Sequence, residues 1–229
     1  MKSTHTFLFV ILSTLFTLPS LQAASCAKTA EKLQCVQVSV QDKQGKPVSD
    51  MVVYLQPTSG QQLPQTDKVV TVLQQNKAFA PYLTVSQTEH AVNFVNHDDI
   101  THHIYSVDSD NKFAFKIRAG AHHMTEHFDH EAEIAMACNI HDWMSGYLLV
   151  VNTPYFAKTD DNGQAFFPAI ENGEYNAVIW HPQLALKDHR VLKKTTVHQE
   201  TSIAFTLPKS LDPIPTQENN DSFDFDSDY

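Results

Sequence analysis

Three side chains that bind soft metal ions stand close together in the run Cys138-Asn139-Ile140-His141-Asp142-Trp143-Met144. The C-x2-H-x2-M spacing allows a thiolate, an imidazole and a thioether to share one short loop after a strand. This combination is typical of a copper site in which a second His completes the in-plane ligands and the Met sulfur is a weak axial ligand. In the alternative interpretation, Cys138 and Met144 are core residues and His141 lies on a surface turn.

A second histidine is found upstream, after residues 91–96, which alternate apolar and polar side chains and predict a strand. The following loop contains His102 and His103. In this region the sequence resembles the cupredoxin family, in which a strand that ends in Asn is followed by a short loop and the first copper ligand. Alignment at Asn96 implies His102 as that ligand. His103 is the alternative and otherwise occupies the position of an Asn that braces the ligand loop.

The resemblance to cupredoxins covers residues 67–152. Residues 76–85 resemble the early F-x-P strand of plastocyanin-like domains, and predicted strands at 133–137 and 147–151 frame the ligand loop. The ligand spacing resembles that of amicyanin. A closer likeness is to periplasmic cupredoxin-like proteins labelled methylamine utilisation proteins, although nothing in the chain identifies methylamine or its dehydrogenase. The residues that carry this likeness are 101–103, 138–144 and 153–156.

The resemblance implies a type 1 copper protein that transfers single electrons and has no enzymatic activity of its own. The four implied ligands of its one copper ion are His102, Cys138, His141 and Met144. The implied partner is a periplasmic redox protein, either a cytochrome c or a dehydrogenase, and the protein is expected to be a monomer.

Three further expectations concern the surroundings of the site. His141, on the exposed loop, is expected to be the route by which the electron leaves. Trp143 and Tyr147 would form an apolar docking rim around it, with a core position as the alternative for Trp143. The backbone N–H of Asn96, or of a neighbour, is a candidate hydrogen-bond donor to the cysteine sulfur, which would tune the reduction potential.

Other function classes fit the sequence less well. The chain has no G-x-S-x-G, H-E-x-x-H or phosphate-binding glycine loop, and it contains only 6 Gly. Its formal net charge of −10 excludes nucleic-acid binding through bulk positive charge. A copper carrier or sensor that holds Cu(I) for delivery would use the same ligands and stays open as the alternative. A structural module with a vestigial copper site is a third hypothesis.

The segment that follows residue 121 is rich in histidine. Two hypotheses apply to it: an exposed second Cu(II) or Zn(II) site, and a solvated loop between strands, which we favour. The residues concerned are His122, His123, His127 and His130, with Glu126 and Asp129 nearby.

The N-terminal residues 1–24 predict a secretory signal peptide, because Lys2 precedes a short apolar stretch and small residues follow it. The mature protein is therefore expected in the periplasm, where disulfides are favoured. Cys26 and Cys35 are expected to form a disulfide, and lipidation of Cys26 is the alternative. Cys138 remains without a cysteine partner.

The flanks of the cupredoxin-like region resemble the two ends of a small prealbumin or carboxypeptidase-regulatory-like β-sandwich. We predict that residues 36–58 and 153–208 form this sandwich, with the cupredoxin-like region as an insertion. In the alternative, the N-terminal hairpin packs onto the cupredoxin-like region. Either arrangement is all-β, with a Greek-key cupredoxin sandwich and a second, smaller one. Residues 209–229 carry an acidic sequence that predicts a disordered tail.

Overall fold

The computed structural model describes residues 33–218 except 59, 62, 65, 67, 108–110 and 126. The predicted signal peptide, Cys26 and residues 219–229 lie outside this part of the chain. Strands are the only regular elements that the described residues form, which confirms the all-β prediction. Within the same residues, no helix has the length and apolar character needed to cross a membrane.

Sixteen strands follow one another along the described part of the chain. They are β1 (Leu33–Gln41), β2 (Val52–Pro57), β3 (Val70–Gln75), β4 (Ala78–Ala80), β5 (Leu83–Gln87), β6 (Val92–Asn96), β7 (His102–Ser106), β8 (Ala114–Ile117), β9 (His122–Met124), β10 (Ala132–Cys138), β11 (His141–Val151), β12 (Phe156–Lys158), β13 (Gln164–Glu171), β14 (Gly173–Trp180), β15 (Arg190–Val197) and β16 (Thr201–Thr206).

The strands form four sheets. Sheet A has the order β13-β1-β16 and sheet B the order β12-β2-β14-β15. Sheet C has the order β4-β3-β6-β9 and sheet D the order β5-β11-β10-β7-β8. The first two strands of the described chain therefore pair with strands that follow residue 155, and β3–β11 pair among themselves. β1 is antiparallel to β13 and parallel to β16.

Three hydrophobic clusters separate the sheets into layers. One lies between sheets A and B, a second between C and D, and a third between D and B. Strand β2 contributes side chains to two of these clusters, because successive side chains of a strand point to opposite faces of its sheet. Val53 and Leu55 face sheet A, whereas Val52 and Tyr54 face sheet D. Four consecutive buried residues in β2 are the expected pattern of a strand that is covered on both faces.

The cysteines and the start of the tail also have defined positions. Cys35 is disulfide-bonded, and its predicted partner Cys26 lies outside the described residues. Cys138 is buried and forms no disulfide. Residues 209–218 of the predicted disordered tail make specific contacts: Leu211 forms a β-bridge with Leu184, and Gln217 hydrogen-bonds to Ser145. The apolar side chain of Leu211 packs against the cluster between sheets A and B, which explains the order at this point.

Candidate metal centre

Three strand termini lie close together at one end of sheet D. Cys138 is the last residue of β10, His141 is the first residue of β11, and His102 is the first residue of β7. The pairing of β10 with both neighbours places Cys138 opposite His141 on one side and opposite Ile104 on the other. Each of His102, Cys138 and His141 consequently offers a ligand atom within 4.8 Å of the others.

The distances within this group suit a bound metal ion. Cys138 Sγ lies 3.6 Å from Nδ1 of His102 and 3.7 Å from Nδ1 of His141. A metal ion bonded to one sulfur and two imidazole nitrogens at ~2.0–2.3 Å would give sulfur–nitrogen separations of about 3.6 Å. All three side chains are buried. The donor set therefore fits a copper site, and the ligand atoms are already close to the positions that such a site requires.

Met144 lies on the same side of sheet D as the cysteine. It has no exposed surface, and it belongs with Cys138 to the hydrophobic cluster between sheets C and D. The alternative interpretation of Cys138 and Met144 as core residues is thus compatible with the metal hypothesis, since both are packed in the core. A solvent-facing His141 does not fit, because its side chain is only 8% exposed.

Asp98 orients His102 from the side opposite the sulfur. Its Oδ2 lies 2.7 Å from Nε2 of His102, and the carboxylate also accepts hydrogen bonds from the backbone N–H groups of Asn76 (2.6 Å) and Lys77 (3.0 Å). Burial alone would raise the pKa of Asp98, but these hydrogen bonds outweigh it and hold the pKa below its usual value. A proton on Nε2 leaves the Nδ1 lone pair directed at the candidate metal position.

Asn96 fixes the loop that leads to His102. Its side-chain amide donates to the carbonyl oxygens of Ile100 (2.7 Å) and Ile117 (3.0 Å), and its Oδ1 accepts from the N–H of Asp98 (2.9 Å). The backbone N–H of Asn96 donates to Ala121 O at 2.9 Å. The Asn96 N–H is therefore not the donor to the cysteine sulfur, because it pairs with the Ala121 carbonyl; a donor from a neighbouring residue stays a prediction.

His102 and His103 have different environments. Successive residues of β7 point to opposite faces, so His102 is buried and His103 is partly exposed. The carbonyl of His103 accepts from the N–H of Asn139 at 2.9 Å, and the two side chains approach within 3.5 Å. The structure thus brings His102 to the cysteine, and His103 contacts the ligand loop.

His141 is the candidate ligand with the most exposed surface. Burial is the main cause that lowers its pKa, and the neighbouring His102 and Lys77 act in the same direction. Trp143 packs against it with ring centroids 5.2 Å apart and is partly buried against the core. Ile140, the preceding residue, is 52% exposed.

Tyr147 does not belong to a rim around His141, so this expectation is wrong. Its ring packs against Tyr82 and Trp180 in the cluster between sheets D and B. Within β11, Tyr147 and Leu149 are two residues apart and so share one face of sheet D, the face that packs against sheet B.

The described residues of the histidine-rich segment form no comparable group. The cluster of His102, Cys138 and His141 is the only one of its kind found among the described residues. His123 stacks on Phe115 with ring centroids 3.9 Å apart, and His127 forms an ion pair with Asp129 at 3.0 Å. Glu126 lies outside the described residues. These contacts favour a loop and short edge strand over a second metal site.

Comparisons with known proteins give only distant likenesses. No family model and no curated protein matches the sequence. A purple cupredoxin from Nitrosopumilus maritimus is similar in structure, with TM-score 0.32 and 20% identity over 35% of this chain and 98% of its own. A mutant of amicyanin in its oxidized state has TM-score 0.34 and 13% identity over 38% of this chain and 85% of its own. A Cu-containing nitrite reductase from Thermus scotoductus SA-01 has TM-score 0.35 and 23% identity over 42% of this chain and 25% of its own. The functional argument consequently depends on the site's own residues.

Proposed function

We propose that the protein is a type 1 copper protein that carries single electrons between redox partners. The observation that carries this proposal is the buried group of one free thiol and two imidazoles, with both Nδ1 atoms facing the sulfur. His102, Cys138, His141 and Met144 would hold the copper ion, which would supply the Cu(II)/Cu(I) couple.

The protein's own residues would keep the site rigid during electron transfer. Asp98 holds the ring of His102, and Asn96 holds the loop between them. Cys138 and Met144 are packed in the core between sheets C and D, which excludes water from the sulfur side. A site with so many fixed contacts rearranges little when its charge changes, and a small rearrangement favours fast electron transfer.

The exposure of the candidate ligands supports a route for the electron, and the resemblance to cupredoxins is the basis for the partner. His141 keeps a small exposed surface (8%) beside the exposed Ile140, whereas His102 has none. We therefore propose His141 as the exit route and a periplasmic redox protein, a cytochrome c or a dehydrogenase, as the partner. The periplasmic location depends on the signal-like residues 1–24, and the methylamine context depends on the sequence resemblance alone.

A redox titration with paired histidine variants tests this function. The copper-loaded protein should undergo a reversible one-electron reduction that a small-molecule mediator can drive. His102→Gln should abolish it, and His103→Gln, a matched change one residue along, should retain it. Tight Cu(I) binding without reversible oxidation would instead support the carrier hypothesis. Equal loss of the redox response in both variants would contradict the assigned ligand set.

A further inference from the structure

A C-terminal segment, residues 211–217, connects the sandwich of sheets A and B to the candidate metal centre; we name it the strap. At its start, Leu211 bridges Leu184, and the N–H of Asp212 donates to Gln183 O at 2.8 Å. At its end, the side chain of Gln217 reaches Ser145 in β11. The two attachments belong to regions far apart in sequence.

Both polar atoms of the Gln217 carboxamide form hydrogen bonds with Ser145. Its Oε1 accepts from the backbone N–H of Ser145 at 3.2 Å, and its Nε2 donates to Ser145 Oγ at 3.2 Å. The second hydrogen on Nε2 is available for Pro215 O, 3.0 Å away within the strap. Pro213 and Pro215 restrict the backbone of the strap, which lowers the entropy lost when it is fixed.

The Ser145 N–H requires such an acceptor because of where the neighbouring strand begins. β5 pairs with β11 only from Leu83 opposite Tyr147, and the Tyr147 N–H donates to Tyr82 O at 2.8 Å. Ser145 lies two residues earlier, so its N–H points to the same edge, beyond the start of β5. Gln217 supplies there the hydrogen bond that β5 does not.

Ser145 is also the residue that follows Met144. We propose that Gln217 is a positioning residue, which holds the first residues of β11 in place and thereby fixes the Met144 sulfur relative to Cys138. This inference rests on the proposed copper function. A second contact reinforces it, because Gln183, which accepts from the strap, also donates to the Tyr82 hydroxyl at 2.8 Å.

Three variants of the full-length protein test the inference. Gln217→Ala removes the contact, and Gln217→Glu keeps an acceptor for the Ser145 N–H, with the Ser145 hydroxyl able to turn and donate. Glu218→Gln is the control for a change of charge beside the strap, since Glu218 is exposed. Without copper, the measurement is amide exchange at Ser145. With copper, the measurements are the intensity ratio of the thiolate-to-copper absorption bands, the copper hyperfine splitting and the reduction potential.

In Gln217→Ala, we expect about two- to tenfold faster exchange at Ser145, as for a lost hydrogen bond. We also expect a changed band ratio and a shifted potential, with both restored in Gln217→Glu and unaltered in Glu218→Gln. Faster exchange with wild-type spectra and potential would overturn the inference, and so would unchanged exchange. If the wild-type protein has no thiolate-to-copper band, the proposed function itself fails and the inference fails with it.

Discussion

Asp98→Asn changes the residue that positions His102 and leaves all four proposed copper ligands in place. In the wild type, one carboxylate accepts from Nε2 of His102 at 2.7 Å and from the N–H groups of Asn76 and Lys77. The asparagine side chain has one acceptor oxygen in place of two, so its NH2 group must face either the imidazole N–H or the backbone donors. Removing the charge also weakens the remaining hydrogen bond.

The magnitude follows from what the carboxylate does. A hydrogen bond to a charged group contributes about 1.5–3 kcal/mol, and loss of a group that orients a ligand typically lowers metal affinity about 10–100-fold. We therefore expect the copper affinity of Asp98→Asn to fall about 10–100-fold. The thiolate-to-copper band should survive, because no ligand has been removed.

Competition with a chromogenic copper chelator at neutral pH measures this affinity. Asp99→Asn is the matched control: it removes the same charge one residue along, at an exposed side chain for which no contact with His102 is found. Affinities of the two variants within about threefold of each other would refute the positioning role of Asp98.

Three further predictions follow from other parts of the structure. His181 is buried and accepts a hydrogen bond from the Gln183 N–H at Nδ1, and burial lowers its pKa from 6.5 to about 4. Because the unfolded chain then binds the additional proton, the free energy of unfolding should fall between about pH 6.5 and pH 4, by about 2–3 kcal/mol at pH 4.5. Urea titrations at about pH 7 and about pH 4.5 should give a smaller difference for His181→Gln, and an equal difference would contradict this reasoning. Gly146→Ala should destabilise the protein by about 1–3 kcal/mol, because a Cβ there would lie 3.0 Å from both Phe79 Cβ and Tyr82 O. Thermal unfolding measures this effect, and a melting temperature equal to that of the wild type would show that the two neighbours move aside freely. Copper affinity should decrease on acidification, since the site needs a thiolate and neutral imidazoles. His141 has a lowered pKa, so proton competition at this ligand should begin below the usual range for histidine. An NMR titration of the copper-free protein in which the His141 imidazole gains its proton at or above about pH 6.5 would contradict the shift.

Local patterns in the sequence predicted the proximity of the candidate ligands. Cys138, His141 and Met144 occur within one short run, and the alternation in residues 91–96 located the strand before His102. Their ligand character follows from residue type, and their proximity follows from one tight connection between two paired strands. The opposite environments of His102 and His103 likewise follow from strand periodicity.

The residues that support the group could not be found in this way. Asp98 lies four residues before His102 in an irregular loop, where no periodicity indicates the direction of a side chain. Gln217 meets Ser145 across 72 residues of chain, and nothing local to either residue marks the contact.

The insertion of one sandwich into another depends on pairings between distant segments. We propose that residues 36–58 and 153–208 form one unit around the cupredoxin-like residues 67–152. The parallel pairing of β1 with β16 and the pairing of β2 with β14 support this division. Four successive apolar residues in β2 are typical of a strand that is covered on both faces, but the sequence does not identify which sheets cover them.

The central claim is that Cys138 binds copper as a thiolate within a type 1 site. The most direct measurement is the visible absorption and paramagnetic resonance of the protein with one equivalent of Cu(II), compared with Cys138→Ser. We predict an intense thiolate-to-copper band and a narrow copper hyperfine splitting that are both lost in Cys138→Ser. A wild-type spectrum without this band, or one that Cys138→Ser reproduces, would contradict the claim.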